Sequence, residues 1–337
     1  MKITAYTAQK PGLIVQAQEL EINDPQSHEI SVRITHCSVG RGDVSFLRND
    51  YDIPDLRYPL VAGHELVGIV ESLGSDTCSF AIGDRVGIGF QISCCGACEF
   101  CLGGHEELCK KQHCLIADHP GGFASHIVVD EHFVFKIPDS LDSAAATPLF
   151  CSGLTVYSCI LKAHIKENMK VGVVGIGGLG HIAVQLLANK GAQVTAFTNK
   201  KDLELVKELG ASTVVGYEPS DMEINSFDRI FITTYAHVNY DYYLKLLKPN
   251  GELWVVGVDT QPTNFSASLL NDYASRSIRG SYIGSPSEMR KLLEIARRKD
   301  ITGSVRVLPV DQLNYALTLV AEGCQDFRIV IEMQPSD

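Results

Sequence analysis

The sequence predicts an α/β protein of two domains, one β-rich and one doubly wound around a parallel sheet. Up to about residue 145 short β-like runs are separated by Gly, Pro and Asp. Beyond that point apolar strands alternate with amphipathic helices, a pattern that calls for right-handed crossovers on a parallel sheet. The 337 residues, 45% of them hydrophobic, are enough for two separate cores.

The first domain's strands are read in "EISVRIT", "LVGIVESLG", "DRVGIGF" and "SHIVVD". The stretch "ITHCSVGRGDVSFLR" (34–48) is read as a strand that ends in a loop carrying Cys37, Arg41 and Asp43 beside Gly40 and Gly42. From residue 169, "MKVGVVGIGGLGHIAVQLLANKGAQVTAF" gives strand, glycine turn, helix and strand. The alternation continues through "DLELVKELG", "STVVG", "DRIFITT", the helical "YYLKLLKPNG", "ELWVVGV" and "IRGSYIG". Helical "SEMRKLLEIARRKD" and short segments ending in "FRIVIEM" return the chain to the first domain. The expected division is 1–148 with 285–337, and 149–284.

Composition narrows the function classes. With 29 basic and 40 acidic residues the formal charge is −11, which repels nucleic acid and anionic membrane. No apolar run reaches the length of a membrane span, and "MKITAYTAQKPG" lacks a signal peptide's apolar core, so a cytoplasmic protein is expected. Eleven cysteines in a reducing compartment point to thiols or metal sites.

Two motifs carry chemistry. "VVGIGGLG" places Gly175, Gly177 and Gly180 in G-x-G-x-x-G spacing, with an extra Gly178, between a strand and a helix. In that context the glycines let backbone approach a pyrophosphate, and the helix N-terminus supplies N–H groups. The following strand ends in Thr198, Asn199, Lys200 and Lys201. An NAD-selective site puts a carboxylate there; two lysines and no acid suit the 2′-phosphate of NADP(H). The lysines also suit the start of a solvated helix, so the missing acid is the more informative half. In "CCGACEFCLGGHEELC", Cys95, Cys98, Cys101 and Cys109 stand in C-x₂-C-x₂-C-x₇-C spacing. Four thiolates on one compact loop can close a tetrahedron around structural Zn²⁺. Disulfides and an iron–sulfur cluster are the competing readings. Reducing conditions and tight spacing disfavour the first, and the NADP motif the second. Cys94 is a spare beside this knot.

Together these segments, with "YPLVAGHELVGIV", "GGFASHIVVD", "PLFCSGLTVYS", "LKPNGELWVVG" and "GSYIGS", resemble the zinc-containing medium-chain alcohol dehydrogenases over nearly the whole chain. The branch is that of the cinnamyl alcohol dehydrogenases and bacterial aldehyde reductases. The resemblance implies a GroES-like catalytic domain, a Rossmann domain, a cleft between them and a homodimer paired through the edge around "RGSYIGS". It implies a small-molecule alcohol or aldehyde substrate, NADP(H), and a structural and a catalytic zinc. It also places Thr155, Leu179, Thr233, Val256, Gly257, Ser281, Ile283 and Arg328 along the cofactor.

For the catalytic zinc the family uses a cysteine of a "CGVCHSD"-like loop, a histidine of "GHE" and a cysteine of "LLCAG". Here those positions carry Gly40, His64 and Cys151. The family's histidine near the cofactor phosphates is Arg41, its proton-relay serine is Gly42, and Asp43, which orients the ligand histidine, is kept. With one thiolate gone, Glu65 is expected to supply the missing charge, giving His64, Glu65 and Cys151 as ligands with water in the open position. His113 and Cys114 are further candidates by spacing; His36 and Cys37 belong to the strand, and Cys78, Cys159, Cys324, His105 and His181 need no site. Three readings follow. The first is an NADP(H)-dependent alcohol dehydrogenase or aldehyde reductase with an altered zinc site. The others are a zinc-independent NADPH reductase of an activated C=C or C=N bond, and a non-catalytic NADP(H)-binding protein.

Overall fold

The computed structural model describes residues 1–54, 56–199, 201, 203–257, 262–271, 273–324 and 326–333. The chain divides into two compact units, Met1–Cys151 with Gly284–Asp337, and Ser152–Ile283.

The first unit is built on antiparallel strands. Glu29–Val39 is central, pairing with Leu66–Leu73, His126–Asp130 and Arg328–Glu332. Alternation along it sends Ile30, Val32 and Ile34 into the core beside Leu66, Phe123 and Ile127. Its last residues therefore emerge next to the Gly63–Glu65 turn: the Ser38 N–H donates to the Glu65 carbonyl at 3.0 Å. The stretch read as a loop after this strand is instead a helix, Arg41–Arg48. Gly42 within it disfavours helix by about 1 kcal/mol, which hides it in the sequence. Its start is held by Asp43, whose Oδ2 accepts the Gly40 N–H at 2.8 Å.

The second unit holds six parallel strands, Lys170–Val174, Gln193–Phe197, Thr213–Val215, Phe227–Ile232, Leu247–Val255 and Ser277–Gly280. Counted in chain order they lie 3-2-1-4-5-6, the Rossmann arrangement. The helix expected over "YYLKLLKPNG" stops at Leu246, and Leu247 already begins the next strand. Pro249 cannot donate to a helix ladder. Ser277–Gly280 is an edge strand and takes in only Arg279 and Gly280 of "RGSYIGS", the segment tied above to dimer pairing. Among the described residues no single helix is long and apolar enough to cross a membrane.

Candidate active site and zinc centres

The glycine turn assigns its residues separate tasks. Gly175 has φ +91°, and a Cβ there would lie 2.5 Å from Thr234. A Cβ at Gly180 would collide with the Gly175 carbonyl, so the helix Gly180–Asn189 packs on the turn only without a side chain. At Gly177 a Cβ meets nothing within 4 Å. The open face thus lies at the middle glycine, where a pyrophosphate needs close backbone approach, and the residues present fit a dinucleotide. Thr233 ties the turn down, its hydroxyl donating to the carbonyls of Val174 and Gly175 at 3.0 and 2.7 Å. At the end of the second strand Thr198 is buried and Asn199 exposed. Lys201 lies among the described residues and Lys200 outside them. Leu179, Val256 and Ile283 are buried. Thr155 sits on the helix Ser152–Lys162, Gly257 packs against the Thr234 carbonyl, and Ser281 accepts from Lys162 at 3.4 Å.

The cysteine knot is compact. Sulfur–sulfur distances are 3.5 Å for Cys98–Cys101, 3.6 Å for Cys95–Cys109 and 3.9 Å for Cys95–Cys101. A tetrahedron with Zn–S bonds of about 2.3 Å has edges of about 3.8 Å, so these four donors fit zinc. Backbone N–H groups of Ala97 and Cys98 bring the Cys95 thiol down to about 6, which favours the thiolate a metal requires.

The altered site forms where the central strand, the helix Arg41–Arg48 and the Gly63–Glu65 turn meet. Asp43 is fully buried, and its Oδ1 accepts both the Gly63 N–H and His64 Nδ1, each at 2.8 Å. That bond places the His64 proton on Nδ1 and turns Nε2 outward, as in a carboxylate–histidine–metal pair. Burial lowers the His64 pKa, but the Asp43 carboxylate and the Cys151 thiol together raise it well above the ordinary value. Ligation would need the neutral ring. One donor atom each from His64, Glu65 and Cys151 lie within 4.8 Å of one another. One nitrogen, one sulfur and one carboxylate oxygen form a normal catalytic donor set that leaves a fourth position open.

Two neighbours hold Glu65. The Ser38 hydroxyl donates to its Oε2, and the Arg328 guanidinium lies 3.6 Å from its Oε1. Arg328 also occupies the space left by the absent cysteine: a Cβ at Gly40 would lie 2.5 Å from its Nη1. Ser38 is the residue that sequence reading missed. The available signal was that it replaces the glycine of the "CGVCHSD" pattern. Arg41 donates from Nη1 to the Ala321 carbonyl near the end of the helix Leu313–Glu322 at 2.9 Å. Among the described residues the three-donor group does not include His36, Cys37, His113 or Cys114. Cys37 packs against Gly63, and its thiol is raised well above the usual range by burial and then by Asp43. Cys114 is pushed up to about 12 by burial and Asp118.

Comparison with known proteins decides the family. Residues 26–139 match the alcohol dehydrogenase GroES-like domain and residues 178–298 the zinc-binding dehydrogenase domain. An aldehyde reductase of Synechocystis is 34% identical, with 98% of both chains covered. The chain belongs to the zinc-type alcohol dehydrogenase family, in its cinnamyl alcohol dehydrogenase-like branch. Cinnamyl alcohol dehydrogenase 5 of Arabidopsis thaliana is 33% identical over 100% of this chain and 97% of its own. The crystal structure of a Helicobacter pylori cinnamyl alcohol dehydrogenase complexed with NADP(H) superposes with a TM-score of 0.93 at 25% identity, covering 100% and 99% of the two chains. Ser38, Gly40, Arg41 and Gly42 are where the chain departs from the loop motif; Cys37, Val39 and Asp43 keep it.

Proposed function

We propose that the protein is an NADP(H)-dependent oxidoreductase that interconverts alcohols and aldehydes, working with zinc held by His64, Glu65 and Cys151. The observation that carries this is the convergence of those three donors, with His64 oriented by Asp43. When bound, the nicotinamide exchanges a hydride with the substrate carbon, and the zinc acts as Lewis acid toward its oxygen. The chain's own residues prepare that chemistry. Asp43 fixes the His64 tautomer, Cys151 and Glu65 supply two negative charges, and Arg328 offsets the burial of Glu65. The named activities of the Synechocystis and Arabidopsis relatives support this reading. A cytoplasmic homodimer belongs to the same proposal. Four thiols gathered as metal donors suit a reducing compartment, and the edge strand Ser277–Gly280 suits pairing with a second copy.

A second reading draws on one observation, the guanidinium of Arg328 standing in the Gly40 space. A cation already in that place favours a zinc-independent NADPH reductase of a C=C or C=N bond. One assay separates the two: NADPH and NADH oxidation followed with panels of aldehydes, enones and imines. The proposal expects aldehyde turnover, with kcat/KM for NADPH about 10²-fold above NADH, because the sequence 198–201 holds no carboxylate to receive the ribose. Turnover of enones or imines alone supports the second reading.

A further inference from the structure

The side chain missing at Gly42 leaves a gap at the ligating edge of His64. A Cβ there would lie 3.4 Å from His64 Cε1 and 3.8 Å from Nε2, and no other described atom beyond its chain neighbours and its own helix backbone comes within 4 Å. Asp43 holds Nδ1 and leaves Nε2 outward, so the gap adjoins the open position where a substrate oxygen is placed. Aromatic rings border the same histidine. Phe90 meets His64 edge-on at 6.1 Å, and Phe46 meets Phe90 at 6.0 Å. Phe46 stands four residues after Gly42 in the helix Arg41–Arg48, on the same face. Both rings pack on the core but are only partly buried, which leaves apolar ring surface for a ligand. A small gap and a broader aromatic surface therefore meet beside one histidine. A carbonyl carbon carries two substituents. An aldehyde has only hydrogen on one side and leaves the gap unfilled; an aryl methyl ketone fills both spaces, and unfilled space forfeits contacts.

We propose that Gly42 sets the substrate range by size, admitting aryl methyl ketones and the secondary alcohols they give, with the methyl group in the Gly42 gap and the aryl group against Phe90 and Phe46. This deepens the aldehyde–alcohol reading above and rests on it. NADPH gives its hydride to the ketone carbon, the C=O π pair moves to oxygen, and that oxygen takes a proton from solvent. Ketone, NADPH and a proton thus become secondary alcohol and NADP⁺. A methyl group that fits its space contributes about 10–200-fold to discrimination, and a Cβ at position 42 takes that space away.

The test uses the full chain, NADPH, and the pair benzaldehyde and acetophenone, which differ only in hydrogen or methyl on the carbonyl carbon. The parent is expected to reduce both, with kcat/KM for acetophenone at least about 10⁻³ of that for benzaldehyde; a lower ratio overturns the proposal. Gly42→Ala is expected to lower that ratio at least about tenfold, and a smaller change overturns the proposal. A general loss of structure would lower both activities and leave the ratio alone. Alanine forms helix better than glycine, so the variant is expected to keep the parent's Tm. Phe90→Leu removes ring surface and leaves the gap. It is expected to raise KM for both substrates about tenfold with the ratio kept within about threefold, and a ratio lowered as far as in Gly42→Ala overturns the division into two spaces. The ratio is also read without turnover, as dissociation constants of the two carbonyl compounds for the NADP⁺-loaded protein by ligand-observed NMR, and is expected to shift the same way in Gly42→Ala. A parent that reduces benzaldehyde alone overturns this inference only. One that reduces neither compound overturns the functional reading, and this inference with it.

Discussion

Glu65→Gln lowers kcat/KM for aldehyde reduction by more than about 100-fold and reduces zinc from about two atoms per chain to about one. The substitution keeps the side chain's shape and removes only its charge. With Glu65 ionised, one thiolate, one carboxylate and a neutral imidazole balance Zn²⁺. With a neutral amide in its place the centre is left near +1, directly beside the Arg328 guanidinium. Two cations in one buried pocket repel strongly, because the interior screens them less than water does. Loss of a ligand that also balances charge exceeds the ten- to hundredfold typical of supporting residues. Metal analysis alongside kinetics checks it. A Glu65→Gln protein with unchanged zinc and turnover shows that the carboxylate is only the partner of Ser38 and Arg328.

Gly40→Cys, which restores the residue of the family motif, lowers activity at least about tenfold and also lowers stability. Two effects act in the same direction. The new Cβ would lie 2.5 Å from Arg328 Nη1, so the guanidinium has to move from its present place. Any movement away from Glu65, which is fully buried, weakens the ion pair that offsets its burial. In addition, a fourth protein donor beside His64, Glu65 and Cys151 fills the position a substrate oxygen needs, turning an open site into a closed one. Gly40→Ala separates the two effects: it carries the collision without the thiol, so it loses stability and does not close the coordination sphere. Thermal unfolding and steady-state kinetics of both variants check the account. A Gly40→Cys enzyme faster than the parent contradicts it and shows that the three-donor set is incomplete.

Much of the fold was legible because local chemistry and tertiary structure agree. The helix Pro286–Lys299 opens with Ser285 and Glu288 in a capping box and closes on Asp300 in the left-handed region, signals carried within a few residues. The glycine turn was legible for the same reason, as strand, turn and helix follow one another directly. The helix Arg41–Arg48 was not. Gly42 argues against it, and Asp43, which holds its first turn, is fixed in place from Gly63 and His64, twenty residues away and more. The boundary at Leu246 was hidden because Leu244, Leu246 and Leu247 among lysines read equally well as helix or strand.

At the candidate site, sequence grouped His64, Glu65 and Cys151 through resemblance, and the structure adds what surrounds them. Three of the four departures from one short motif lie together at the site. Ser38 supplies a hydroxyl to Glu65, Gly40 opens space that Arg328 occupies, and Gly42 leaves room beside the His64 ring. The Arg328–Glu65 pair joins positions 263 residues apart, 328 − 65, a distance over which spacing carries no information. At Gly40 the space beside the backbone is taken by the Arg328 guanidinium, which faces Glu65.

Zinc per chain, measured in protein purified without chelators, tests the central claim most directly. The account predicts about two atoms, one in the cysteine knot and one at His64, Glu65 and Cys151. About one atom per chain, lost when Cys109 is replaced and unaffected by His64→Ala, contradicts it.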